Sequence, residues 1–186
     1  MLKNSNGGVK VEIETIIEAA KNGDKKAFEI IVKRYHNELY YTALGIVRSG
    51  WEALDICQET FIKAFNSINR LKDTTKFKSW INRILINKCN DYFRKNKKVV
   101  YVDFIEESEG FIEGGCEENI DLLRALSTLK DDSRVVLTLR YFQDLPLKEI
   151  ATILDIPEGT VKSRISNGLK EMRKLMKTPY EEEGKI

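Results

Sequence analysis

Apolar residues recur every three or four positions through most of this chain, the spacing that places them on one face of a helix. The first such stretch is weak and short, around residues 12–21, and Asn22-Gly23 ends it. Asp24 follows as a candidate N-cap for a long second helix, in which Phe28, Ile31, Tyr35, Leu39, Ala43 and Ile46 form one buried stripe. Ser49-Gly50 is expected to break it. A third helix is predicted over about 52–69, with Leu54, Cys57, Phe61, Phe65 and Ile68 inward. After a polar loop at 70–76, a fourth is predicted over 77–95, with Phe77, Ile81, Ile84 and Tyr92 inward. No proline occurs before Pro146, so nothing interrupts these helices by removing a backbone donor.

The pattern changes at residues 99–118. Val99-Val100-Tyr101-Val102 gives way to Asp, Glu, Gly and Ser, which reads as a flexible linker. Helical spacing resumes over about 118–129 and 132–142. Beyond Pro146, a short helix turns Ile150, Ala151 and Leu154 inward, and the small Ala151 allows a close crossing. Asp155-Ile156-Pro157 makes a turn. A second helix begins near Glu158 and turns Val161, Ile165, Leu169 and Met172 inward. This is a helix-turn-helix pattern, over 147–166. Glu158, Thr160, Lys162, Ser163 and Arg164 are expected on the outer face near its start, where such a helix meets base edges and phosphates in the major groove. A plain helical hairpin has the same apolar spacing; the polar, basic outer face favours DNA. The fold expected is all-α: two small helical domains at 10–98 and 119–177, joined by a flexible acidic linker at 99–118 and followed by a tail at 178–186.

Composition narrows the class. The chain has 186 residues, 42% hydrophobic and 32% charged, too apolar for wholesale disorder. No apolar run approaches a membrane span, and the N-terminus lacks the apolar core of a signal peptide, so the cytoplasm is expected. The three cysteines lack the short spacing of a zinc site. Cys57 and Cys89 read as buried free thiols, and Cys116 as an exposed thiol without a role. His36 is the only histidine, and no catalytic constellation, metal or cofactor is expected. The net charge of +2 is unevenly spread: +8 over residues 1–98, −7 over 99–118 and +3 over 119–178. Two basic blocks around an acidic connector suit modules that meet a polyanion.

Two helices carry polar patterns of their own. In the third, Asp55, Gln58 and Glu59 stand at i, i+3 and i+4, on a face opposite Phe61 and Phe65. A solvated helix face would be enough to explain that pattern. In and just after the fourth, Arg83, Lys88, Arg94, Lys95, Lys97 and Lys98 oppose one acid, Asp91. Asn87 and Asn90 add amides, and Phe77 and Trp80 add rings, although Phe77 reads as core. Cations track a single strand's backbone, rings stack on its bases, and amides read base edges.

These motifs occur in a familiar order. Asp24-Lys25-Lys26-Ala27-Phe28 through Tyr35, the D-x-x-Q-E-x-F pattern at 55–61, the basic aromatic helix at 77–95 and the helix-turn-helix together resemble a small sigma factor of the extracytoplasmic-function group (group 4) of the sigma-70 family. The resemblance runs from about Glu12 to Lys177. It implies a non-enzymatic initiation subunit that binds core RNA polymerase, through its β′ and β subunits, and promoter DNA. It assigns polymerase binding to Asp55, Gln58, Glu59 and Thr60, which would dock on the β′ coiled coil. It assigns the melted minus-ten element to Trp80, Arg83, Asn87, Lys88, Asn90, Asp91, Arg94 and Lys95, with Asn87 and the loop at 70–76 holding an unstacked base. It assigns the minus-thirty-five element to Glu158, Thr160, Lys162, Ser163, Arg164, Asn167 and Lys170. An anti-sigma partner is implied, as is a monomer when free, and the acidic linker would lie in the channel that RNA later fills. One departure stands out. Asn167-Gly168-Leu169 replaces the arginines usual there, and Gly168 costs the helix about 1 kcal/mol against alanine. Binding would then lean on Lys162, Arg164, Lys170, Arg173 and Lys174.

Two other functions stay open at this point. A stand-alone operator-binding regulator needs only the helix-turn-helix and a dimer interface, since half-sites come in pairs. A DNA enzyme of the serine recombinase kind needs a nucleophile with arginine partners, and Ser5, Ser49, Ser67 and Ser79 have no convincing set.

Overall fold

The structure, a computed structural model, describes residues 6–96 and 117–176, with side chains over 13–96 and 122–174. The predicted linker up to residue 116, Cys116, Lys97, Lys98 and the tail lie outside the described residues. Within them all regular structure is helical: α1 Asn6–Lys21, α2 Lys25–Val47, α3 Gly50–Ser67, α4 Phe77–Lys95, α5 Glu117–Ser127, α6 Asp131–Tyr141, α7 Leu147–Leu154 and α8 Glu158–Met176. Two single turns of 3-10 helix, Ile68–Arg70 and Thr74–Lys76, connect α3 to α4.

The local signals act as their chemistry requires. Gly23 takes φ 95, a left-handed value natural to glycine, and ends the α1 turn. The Asp24 carboxylate accepts from Lys26 N at 2.8 Å and Ala27 N at 3.2 Å, capping α2. The break after α2 differs from the expected one. Arg48, not Gly50, takes the left-handed conformation, at φ 59, and its N–H bonds to Leu44 O. Ser49 then caps α3 by accepting from Glu52 N. Gly50 is the buried first residue of α3, so the helix starts and stops two residues early. Asp73 organises the predicted loop at 70–76 by accepting from both Thr75 N and Thr75 Oγ1.

α1 to α4 pack as one helical group, with α2 central, and α5 to α8 as a second. Phe77, Ile81, Leu85, Cys89 and Tyr92 make the inner face of α4, while Ile84 is half-buried rather than inward. Phe65, expected inside, stays 47% exposed and sets its ring edge on Phe28 at 5.1 Å. Cys57 and Cys89 are buried as expected, and burial pushes both thiols up to about 12.

The two groups also pack on each other: α6 and α5 against α2, and α7 against α4. Every residue from Leu39 to Val47 is buried, because α2 is covered on opposite sides. Gly45 makes the crossing close; a Cβ there would lie 3.1 Å from Thr138 of α6. The Tyr41 and Phe142 rings stack across the junction at 6.0 Å. Among the described residues no helix is long and apolar enough to cross a membrane.

Candidate nucleic-acid interface

Asp55, Gln58 and Glu59 are exposed together on α3, and Ile62, 62% exposed, extends the same face by one turn. Thr60 does not join them. It is fully buried, and its hydroxyl donates to Ile56 O at 2.7 Å, so it serves the core rather than a docking face. Glu59 is held by Lys88 Nζ at 2.6 Å, which links this face to α4.

On α4, Arg83, Asn87, Asn90 and Arg94 form a continuous exposed stripe, spaced four, three and four residues apart. Trp80 begins the stripe, half-buried, its ring 5.7 Å from the buried Phe77. Lys88, Asp91 and Lys95 flank it. Lys88 turns to Glu59, Asp91 pairs with Arg94 at 2.6 Å, and Lys95 is exposed. The stripe thus offers amides and guanidinium groups side by side, with a ring at one end: a surface suited to a single strand.

The N-terminal turn of α4 carries an unforeseen feature. Glu149 of α7 accepts from Ser79 Oγ and from Lys76 Nζ, the latter at 2.9 Å. Burial pushes the Glu149 carboxyl up, but these two bonds outweigh it and hold it below the ordinary glutamate value. The same carboxylate raises Lys76.

The helix-turn-helix forms as expected. Asp155 takes the left-handed conformation at φ 54, and its N–H bonds to Ala151 O to close α7. On α8, Lys162 pairs with Glu158 at 3.1 Å, and Ser163 Oγ donates to Thr160 O at 2.9 Å. Lys162, Ser163, Asn167 and Lys170 are exposed, joined by Ser166, a position the sequence reading left out. Thr160 is half-buried. Arg164 departs from the expected outward placement: it is half-buried and bonds to Asp132 of α6 at 2.7 Å. Gly168 is buried, and a Cβ there would fall 2.5 Å from Leu137 Cδ1 and 3.1 Å from Ser133 Cβ. The departure at 167–169 therefore has a packing cause: α8 crosses α6 too closely for a side chain at 168. His36 lies with its ring parallel to Phe61 at 6.5 Å, a packing role. Among the described residues no cluster of metal-ligating side chains occurs.

Comparison with known proteins agrees with this arrangement. The family model Sigma-70 region 2 matches residues 31–99, and Sigma-70, region 4 matches residues 119–172. The ECF RNA polymerase sigma factor SigW of Bacillus subtilis is 34% identical over 185 residues, covering 91% of this chain and 99% of that protein. The chain belongs to the ECF sigma factors of the sigma-70 family. The ECF RNA polymerase sigma-E factor of Escherichia coli K12 is 32% identical over 169 residues, covering 82% of this sigma factor and 87% of its own length. Two solved structures share the fold at a TM-score of 0.66. One is CnrH in complex with the cytosolic domain of CnrY, 22% identical, covering 88% of this sigma factor and 96% of that chain. The other is the sigma factor RpoE in complex with the anti-sigma factor NepR from Bartonella quintana, 24% identical, covering 82% and 98%. In this sigma factor the basic stripe of α4 falls within the first matched region and the helix-turn-helix within the second.

Proposed function

We propose that this sigma factor is a dissociable, non-enzymatic initiation subunit, acting in the cytoplasm, that divides promoter reading between its two domains. The first domain, residues 10–98, binds the β′ subunit of core polymerase through Asp55, Gln58 and Glu59. It then holds the opened minus-ten element on Trp80, Arg83, Asn87, Asn90 and Arg94, with Lys88, Asp91 and Lys95 at the flank. The second domain, residues 119–177, contacts the β subunit and reads the minus-thirty-five duplex through Glu158, Lys162, Ser163, Asn167 and Lys170, with Thr160 at the edge of that face. Arg164 acts there from its bond to Asp132. An anti-sigma factor, the class of partner bound in the Bartonella quintana structure, is a proposed regulator.

The observation that carries this reading is the exposed Arg83, Asn87, Asn90, Arg94 stripe beside the acidic α3 face. An operator-binding regulator needs neither. The test is run-off transcription on a mixed promoter library, using purified core polymerase with and without the protein. Discrete transcripts that require the protein are expected. Binding of duplex DNA without any new transcript would favour the stand-alone regulator.

A further inference from the structure

We infer that the acidic segment following α8, Tyr180 to Glu183, seats in a basic groove of the second domain and competes there with duplex DNA. The inference rests on α8 being the minus-thirty-five helix, and it adds a competitor carried by the same chain.

Helices α6 and α8 and the start of α7 border a groove of about 400 Å³. Its floor is apolar: Ile165 and Leu169 are half-buried, and the Tyr141 ring beside them is 52% exposed. Its rim is cationic, with Arg140 on α6 and Lys162, Lys170 and Arg173 along one side of α8, and no acid lines it. Two neighbouring acids touch the rim. Glu158 holds Lys162 at 3.1 Å, and Asp144 stands 3.6 Å from Arg140, which also donates to Leu145 O. Lys170 and Arg173 are exposed and pair with no carboxylate among the described residues. Cations around a bare apolar strip select a ligand that sets carboxylates next to an apolar group.

The chain carries that combination a few residues past α8. Pro179-Tyr180-Glu181-Glu182-Glu183 places one ring beside three carboxylates. Pro179 lacks the N–H that would continue a helix and disfavours helical geometry at the residue before it, so the chain can leave the line of α8. Reach is sufficient. Tyr180 stands four residues past Met176 and can extend about 14 Å from it, at about 3.3–3.6 Å per residue. Leu169 lies seven residues back along α8, about 10 Å at about 1.5 Å each. With Tyr180 against Tyr141 and Leu169, Glu181 to Glu183 come within range of Lys170 and Lys162.

Lys162 and Lys170 belong to the face proposed to meet the minus-thirty-five duplex, so segment and duplex exclude each other on α8. Non-specific duplex binding comes from phosphate contacts made by such cations. A seated segment therefore lowers the hold of the free protein on DNA that lacks a promoter.

The experiment uses the full chain and a fluorescein-labelled duplex of mixed sequence at low salt, read by anisotropy. Tyr180→Ala changes no charge, so plain repulsion between the carboxylates and DNA predicts no effect. Seating predicts binding about tenfold tighter, as expected if the segment occupies the groove in about nine molecules of ten. Glu181→Gln, Glu182→Gln and Glu183→Gln together should give at least that gain, with affinity falling more steeply with salt as Lys170 and Arg173 become free for phosphate. Tyr141→Ala should match Tyr180→Ala in the full chain and change nothing in a protein lacking residues 178–186. Equal affinity of wild type and Tyr180→Ala overturns the proposal. So does a gain from Tyr141→Ala that persists without the segment, since another occupant then fills the groove. A second arm needs no DNA. A nitroxide on Lys185→Cys in a Cys116→Ser background, with Cys57 and Cys89 buried, should broaden the amide signals of Tyr141 and Ile165, and Tyr180→Ala should restore them. Broadening confined to the last turn of α8 also overturns the proposal. Seating in this arm with no duplex binding by any variant would instead count against the minus-thirty-five assignment.

Discussion

Replacing Gln143 by alanine removes a side chain of the second domain that bonds both α2 and α4. Three hydrogen bonds are lost: to Glu38 O, to Thr42 Oγ1 and from Asn82 Nδ2. At about 0.5–1.5 kcal/mol each, their net worth is about 1.5–4.5 kcal/mol. The surroundings soften the loss. Asn82 Nδ2 keeps its bond to Lys78 O at 2.9 Å, and Thr42 Oγ1 still donates to Glu38 O at 2.7 Å. No partner is stranded completely, so a loss of about 2–3 kcal/mol is expected. Because the bonds lie between the domains, the loss should appear as lost cooperativity. Urea unfolding followed by far-UV circular dichroism should show one transition for the wild type and an earlier, two-step transition for Gln143→Ala. Gln143→Glu should be worse at neutral pH, since it buries a carboxylate against the Glu38 carbonyl oxygen. A shift below about 0.5 kcal/mol with one unbroken transition would refute the reasoning, because it would leave three dry bonds without energetic effect.

Asp55→Arg with Glu59→Arg should abolish co-purification with core polymerase while leaving helicity unchanged; unchanged affinity would place the interface elsewhere. Asn87→Ala should change base preference only in the melted minus-ten element, and Lys162→Ala should relax preference only in the minus-thirty-five element, by about 1–3 kcal/mol if it meets a base edge. Transcription from templates varied one base at a time measures both, and shifts within one shared element would contradict the division of labour. Gly168→Val should lower the thermal midpoint, because overpacking against Leu137 and Ser133, about 1–3 kcal/mol, exceeds the gain in helix propensity; an equal or higher midpoint argues against the close crossing. The contact of Glu149 with Lys76 and Ser79 should also respond to pH. Glu149 is lowered in the folded protein, so its contribution is present above the ordinary glutamate value of about 4.3 and is lost as pH falls through the lower folded value. Lys76 is raised, so its contribution is present below about 10.4 and is lost only as pH rises through its higher folded value. Lys72, Asp73 and Arg83 line the groove around this contact. Thermal stability should lose the contribution of this contact only in acid, as the lowered Glu149 carboxyl protonates, with Glu149→Gln as the reference that lacks this acid response.

Much of the helical plan could be read from residue spacing alone. The fourth helix was expected at 77–95 and runs from Phe77 to Lys95. The Asp24 cap, the Gly23 turn and the Asp155 turn each follow from a side chain or backbone preference acting within a few residues. The structure departs from the expectation where a polar side chain finds a partner within the protein. Thr60 was assigned to the docking face from its neighbours in the motif, yet a threonine can spend its hydroxyl on the carbonyl four residues back and pass into the core. Arg164 was expected to face outward, yet it folds across to an exposed aspartate on another helix and is left half-buried.

The sequence by itself determined the elements, their order, the apolar face of each and the family. All of these depend on periodicity and motif within single helices, and a local pattern is sufficient to specify them. Tertiary structure alone decided which polar residues are spent inside. Asn82, Gln143, Thr42 and Arg134 have no hydrophobic signature, and their burial follows from a partner that lies 61 to 105 residues away. It also decided the role of two glycines. Gly168 reads from the sequence as a weak point in its helix, and Gly45 carries no signal there at all, because propensity sees only the chain that carries them. The cause of each is the neighbour it admits, α6 in both cases: a Cβ at 168 would fall 2.5 Å from Leu137, and one at 45 would press tightly on Thr138 at 3.1 Å.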